Sequence, residues 1–179
     1  LERSVQNFFL YMHVEFLLKN SEALQSIRRS HTMRPGDFIF MVAMQKGKEY
    51  KRSKDLKVQT ENVPLSISTD DLKKIIEESL EFVISSSTPD AQIHIQTRVI
   101  GDFLQMQIES KLENVPPSSI NVLTEEDQPN RLFFEEIDPT LGILISNRIV
   151  KLYDGKFFLE INELCELTLT ISLPIKTNI

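Results

Sequence analysis

Apolar residues recur along this chain with two periods, and the switches between them mark out its elements. Over residues 1–19, Leu1, Val5, Phe8, Met12 and Phe16 fall three or four apart. That spacing lays one apolar stripe along a helix, and Phe9, Leu10 and Leu17 widen it. Such a stripe needs a partner, either the core of its own domain or a second helix in a dimerising hairpin. Its length and early position favour the hairpin. A second short helix is predicted over 21–29, after Asn20, and "SHTMRPGD" then breaks the pattern at Pro35-Gly36.

A third helix is predicted over 37–52, starting at an Asp37 cap and burying Phe38, Phe40, Met41 and Met44. "LKVQTE" and "PLSIS" alternate with period two around Asn62, which predicts a hairpin of two short strands. "STDDLKKIIEESLEFVISSS" has the clearest helical pattern. Ser68 or Thr69 caps it, Asp70 and Asp71 suit the positive end of its dipole, and Leu72, Ile75, Ile76, Leu80 and Val83 line one face. "QIHIQTRVI" and "FLQMQIES" form a hairpin around Gly101-Asp102. Residues 111–139 are polar and irregular, and a loop of this length in a compact domain suggests a functional segment or disorder. Leu141, Ile145, Ile149 and Leu152 return to helical spacing, Asp154-Gly155 turns the chain, and "KFFLEIN" and "LTLTISLPI" close it as a terminal hairpin. Antiparallel hairpins with helices inserted between them predict an α+β two-layer sandwich preceded by a helical segment.

Composition narrows the function classes. With 179 residues and 41% hydrophobic content the chain can build one ordinary core. It lacks the apolar run of a membrane span and the basic-then-apolar start of a signal peptide, which predicts a cytoplasmic protein; a start at Leu1 suggests a fragment of a longer one. A net charge of −6 argues against nucleic acid as a partner. The lysine-rich stretch from Lys46 to Lys57 reads as a solvated helix face and loop. One cysteine, Cys165, excludes an internal disulfide or a cysteine-based zinc site and reads as an inert strand or turn residue. His13 reads as a helix-surface residue, and His31 and His94 have no neighbouring ligand in sequence, so no metal site is expected.

The element order, with three stretches of residues, resembles the ATP-binding domain of sensor histidine kinases, the Bergerat-type fold shared with gyrase. "STDDLKKIIEESLEFVISSST" stands where that family carries its N-box helix, "MQIESKLENVPP" where a strand runs into an Asp-x-Gly-x-Gly turn, and "LFFEEIDPTLGILISNRIVKLYDGKFFLEI" where it has a glycine-rich lid, a helix and the next strand. The resemblance implies a degenerate ATPase-like domain over residues 37–175. Residues 1–30 then form a dimerisation segment, the end of a phosphotransfer hairpin.

It also implies that the chemistry of each nucleotide-binding position has changed. Phe82 stands where the family has a magnesium-binding Asn. Glu78, one turn earlier, matches a general base in some relatives of the fold and reads here as a solvent-facing carboxylate. Ser110 replaces the Asp that receives the adenine amino group, Leu112 and Asn114 replace the glycines beside the base, and Asp138 and Thr140 replace two lid glycines, leaving Gly142. Magnesium requires hard oxygen ligands, and a phosphate-wrapping backbone requires glycine, of which the chain has five. The expected activity is therefore that of a signalling pseudo-kinase with no catalytic residues and no cofactor. It would act as a homodimer through Val5, Phe8, Met12 and Phe16 and by binding a receiver domain or a kinase partner. The alternatives are a phosphotransferase that relays phosphate from a histidine upstream of Leu1, and an active sensor kinase with atypical boxes that binds ATP and magnesium.

Overall fold

The computed structural model describes residues 2–30, 32–113 and 137–176, and of residues 4, 29, 30 and 137–140 the backbone alone. Its elements are α1 (Glu2–Leu18), α2 (Ser21–Ser30), α3 (Gly36–Glu49), β1 (Leu56–Gln59), α4 (Thr69–Ser86), β2 (Ile93–Ile100), β3 (Phe103–Lys111), α5 (Ile137–Leu152), β4 (Lys156–Ile161) and β5 (Glu166–Pro174). The strands form one five-stranded sheet in the order β1-β2-β3-β5-β4. Helices α3, α4 and α5 cover one face, as the predicted α+β sandwich requires.

The sheet is mixed. β2 and β3 pair antiparallel, with Ile95 opposite Ile108 and Gly101 in the left-handed region at the turn. β3 and β5 pair antiparallel along their whole length, and β4 closes the second hairpin on β5. Alternation places Leu104, Met106 and Ile108 of β3 and Leu167, Leu169 and Ile171 of β5 against the helices, all of them buried. Cys165 lies in the β4–β5 turn, exposed and at positive φ, while Asn162 accepts the backbone N–H groups of Leu164 and Glu166 there.

Helix α4 starts as its sequence predicts, with the Ser68 hydroxyl accepting from Asp71 N–H at 3.0 Å. Nearly every residue from Ile75 to Ile84 is buried, because α4 lies under the sheet and between α3 and α5. The first turn of α5 takes in Asp138 and Thr140, so the helix begins before Leu141. At its far end Asp154, rather than Gly155, adopts positive φ. Gly155 is confined by packing: a β-carbon there would come within 2.6 Å of the Ser172 carbonyl oxygen.

Three expectations are corrected. The hairpin around Asn62 does not form: β1 pairs parallel with β2, and Leu65 makes only isolated bridges to Met33 and Ile175. Asn62 is instead occupied by α3, its side-chain oxygen accepting from Gly36 N–H at 3.2 Å. Helix α3 therefore begins at Gly36 and ends at Glu49, with Pro35 at the cap position and no cap made by Asp37. Its buried face is also rotated from the predicted one. Ile39, Val42, Ala43, Lys46 and Gly47 face inward, whereas Phe40 and Met41 are exposed. Gly47 sets that rotation, since a β-carbon at 47 would meet the Leu56 side chain of the adjoining β1.

Candidate functional site

Helices α4 and α5 meet at Gly142. A β-carbon placed there would overlap the Glu78 carboxylate, with Glu78 Cδ at 2.9 Å. Further along the same seam the buried Ser146 hydroxyl donates to the Ile75 carbonyl at 3.4 Å. The backbones approach closely because these positions are small.

Glu78 was expected to face solvent, and the structure corrects this: it is 3% exposed and takes part in an ion-pair cluster. Lys74 donates to it at 2.6 Å and also to the Asn7 side-chain oxygen at 2.8 Å. The Arg3 guanidinium of α1 donates to both Glu78 oxygens, at 3.1 and 3.3 Å, and to both oxygens of Glu81, one of them at 2.6 Å. Lys46 of α3 donates to Glu81 at 3.1 Å and pairs with Glu49 at 3.1 Å. Three cations from three helices thus meet three carboxylates, two of which lie on one face of α4 three residues apart. Lys46 and the half-buried Arg52 also correct the reading of 46–57 as a solvated stretch. Arg52 pairs with the buried Asp55 and donates to the Ala91 carbonyl at 2.9 Å.

The cluster perturbs its members. Burial would push the Glu81 carboxyl up, but the hydrogen bonds from Arg3 and Lys46 outweigh it and hold the group below the ordinary carboxylate range. Burial opposes the Lys46 charge, and Glu81 and Glu49 together raise its pKa regardless. The Arg3 guanidinium is held yet more firmly protonated, chiefly by Glu81. Burial and then Glu81 raise the Tyr50 phenol, and the Lys46 ammonium lies 5.6 Å from the Tyr50 ring centre. A cleft of about 450 Å³ opens beside the cluster, between α1 and α4, lined by Arg3, Asn7, Leu10, Lys46 and Lys74 among others.

The remaining positions do not converge as a donor set. Phe82 is buried in the hydrophobic core. Ser110, at the end of β3, donates its hydroxyl to the Gln92 carbonyl at 3.1 Å. Leu112 is buried and bridges Ser87 through the backbone. Asn114, His31 and the central part of the 111–139 segment lie outside the described residues, as do the side chains of Asp138 and Thr140. His13 and His94 are exposed on α1 and β2. Among the described residues no group of His, Cys, Asp and Glu is placed to hold a metal ion, and no helix is long and apolar enough to cross a membrane.

Helix α1 buries one side and exposes the other. Asn7 and Val14 are buried, and Leu10, Tyr11, Leu17 and Leu18 are half-buried against α5 and its surroundings. The expected stripe points away: Val5, Phe8, Phe9, Met12 and Phe16 keep between 42% and 67% of their surface exposed. Sequence reasoning missed the inner face because its polar members, Arg3 and Asn7, find their partners on α4, about seventy residues away. The available signal was a pair of acidic residues, Glu78 and Glu81, three apart among the apolar positions of the second half of α4, with Lys74 one turn before Glu78.

Solved structures that this chain resembles include histidine kinases. Acinetobacter baumannii histidine kinase AdeS superposes with a TM-score of 0.66 over 97% of this chain and 77% of its own, at 12% identity. The mycobacterial sensor histidine kinase MprB does so with a TM-score of 0.66 over 83% of this chain and 99% of its own, at 14% identity. A histidine kinase from Burkholderia phymatum has a TM-score of 0.66 over 98% of this chain and 97% of its own, at 9% identity. No family profile and no curated protein sequence matches the chain. At these identities the likeness is one of fold, the α+β fold of histidine-kinase ATP-binding domains.

Proposed function

From the fold of a sensor histidine kinase ATP-binding domain as premise, we propose that this chain is a histidine-kinase-like signalling module that has lost ATP binding and acts through protein contacts. The observation that carries the reading is the cluster around Glu78 and Glu81. These carboxylates stand on the helix that the resemblance assigns to phosphate and metal binding. A triphosphate there would meet like charge, and Arg3, Lys46 and Lys74 are already committed to carboxylates. Replacing those bonds would leave a buried carboxylate without a cation.

The residues present do not fit magnesium-ATP in other respects either. Phe82 has no lone pair, and magnesium takes oxygen ligands in a near-octahedral array. Burying a side chain of this kind contributes about 1.5–3 kcal/mol, so Phe82 and Leu112 stabilise the domain at positions where a nucleotide site would need polar groups or glycine. Ser110 is neutral, and its proton is directed to Gln92.

Association is assigned to the outer stripe of α1. Val5, Phe8, Met12 and Phe16 repeat with the spacing of a helix–helix seam and are exposed together, which suits an isologous contact with a second copy. In this reading residues 1–30 form the dimerisation segment, residues 37–175 form the degenerate ATPase body, and a receiver domain or a kinase is the further partner. Sedimentation equilibrium tests the association: the wild type is expected to dimerise and Phe8→Glu to be monomeric. A wild-type monomer at all concentrations contradicts it.

A further inference from the structure

We infer that the outer edge of β4 is a second self-association surface, at which two copies of this chain pair antiparallel about Phe158 and join their sheets. The contact involves neither the nucleotide-like positions nor α1, so it does not depend on the loss of ATP binding or on the α1 seam.

β4 is an edge strand, and among the described residues its only ladder partner is β5. An unpaired edge presents a row of backbone N–H and C=O groups, which proteins ordinarily blunt with proline, a bulge, a very short strand or a covering group. The opposite edge of this sheet is blunted in that way. β1 has four residues, and beyond it the Glu61 carboxylate accepts the Val99 N–H of β2 at 2.7 Å while Glu61 N–H donates to the Thr97 hydroxyl at 2.6 Å. β4 has six residues with no proline or glycine among them, and its register on β5 is unbroken. Its outward-facing Phe158 is 55% exposed, and on the inward side Phe157 and Ile161 are only partly buried against the core.

The charge pattern selects the occupant. Residues opposite each other in an antiparallel pair share a sheet face, so a two-fold pairing that keeps both helical layers on one side is centred on a residue. Centred on Phe157 it sets Lys156 against Phe158, and centred on Leu159 it sets Phe158 against Glu160. Centred on Phe158 it sets Lys156 of each copy against Glu160 of the other, Phe158 against itself, and Phe157 against Leu159 on the core side. The run from Lys156 to Glu160 is thus complementary to its own reverse. Lys156 guards the edge against a foreign strand, whereas a second copy supplies the carboxylate that matches it. In the single chain its ammonium lies 5.6 Å from the Phe103 ring centre on the outer face, and on pairing it swings to Glu160 of the second copy. Two strand edges of this length bury much less than the roughly 1,200 Å² of a stable complex, so the contact is weak and adds to the α1 seam.

Sedimentation equilibrium in the Phe8→Glu background, where the α1 seam is disabled, tests the proposal. The chain is expected to be monomeric at micromolar concentration and to dimerise towards millimolar. Lys156→Glu and Glu160→Lys each place two like-charge pairs at the contact and should weaken it at least about tenfold. The two substitutions together should restore it. Glu160→Lys separates this contact from indiscriminate association, which it would strengthen by making a chain of net charge −6 less negative. Both side chains are exposed, so thermal midpoints should hardly change. The proposal is overturned by the absence of a dimer up to millimolar concentration, by single variants that dimerise as before, or by a double variant that stays monomeric.

Discussion

Gly142 of α5 lies against the Glu78 carboxylate of α4 with no room for a β-carbon between them. Gly142 is thus held by packing against an ion-paired side chain. Gly142→Ala must push Glu78 away from Arg3 and Lys74 or spread the two helices. Overpacking of this kind costs about 1–3 kcal/mol. Urea denaturation should show the midpoint falling accordingly, and an unchanged midpoint would mean that the seam is looser than described.

Acid should weaken the cluster through Glu81. Its carboxyl titrates below the ordinary carboxylate range in the folded state, so its stabilising contribution is fully present above the unfolded value, about pH 4.3. That contribution is lost as pH falls through the lower, folded value. Glu81→Gln should therefore cost about 1.5–3 kcal/mol at neutral pH and progressively less as the wild type is acidified. Denaturant midpoints for both proteins at a series of pH values check this; a constant difference between them would remove Glu81 from the acid response.

On the alkaline side Lys46 behaves in the opposite sense. Its raised pKa means that its contribution is complete below the unfolded lysine value, about 10.4, and is lost as pH rises through the folded one. Lys46→Met keeps the stem and deletes the charge. It should flatten the alkaline fall in thermal stability, while leaving Arg3 as the cation on Glu81 and so lowering stability at neutral pH.

Arg52 connects the start of β1 to the segment after α4 through Asp55 and the carbonyls of Thr88 and Ala91. Asp55 is buried, so Arg52→Met leaves a carboxylate without its cation, a change that costs about 3–5 kcal/mol. Thermal unfolding measures the loss. A drop comparable to that of an exposed-lysine variant such as Lys54→Met would show that Asp55 finds another partner.

The parts of this fold legible in the sequence are those fixed by local periodicity. The β2–β3 and β4–β5 hairpins follow from alternation and from their turns, and α4 from its Ser68 cap and apolar face. What escaped was set by partners distant in the chain. The rotation of α3 depends on Gly47 meeting Leu56 and on Lys46 reaching Glu81, and the isolated bridging of Leu65 depends on Met33 and Ile175. Among the candidate site residues, Phe82 and Leu112 are apolar and buried, as their side chains dictate. Glu78 departs from the solvated reading because Arg3 and Lys74 neutralise it, and no spacing within α4 reveals Arg3.

Calorimetric titration of the purified chain with ATP and Mg²⁺, paired with thermal-shift scans, tests most directly whether this ATPase-like frame takes nucleotide. No binding heat and no shift are expected at millimolar nucleotide, for the wild type and for Arg3→Ala alike, because removing the Arg3 guanidinium leaves Glu78, Glu81 and Phe82 in place. Magnesium-dependent micromolar binding by the wild type would contradict that expectation and would make residues 138–142 part of a working phosphate site.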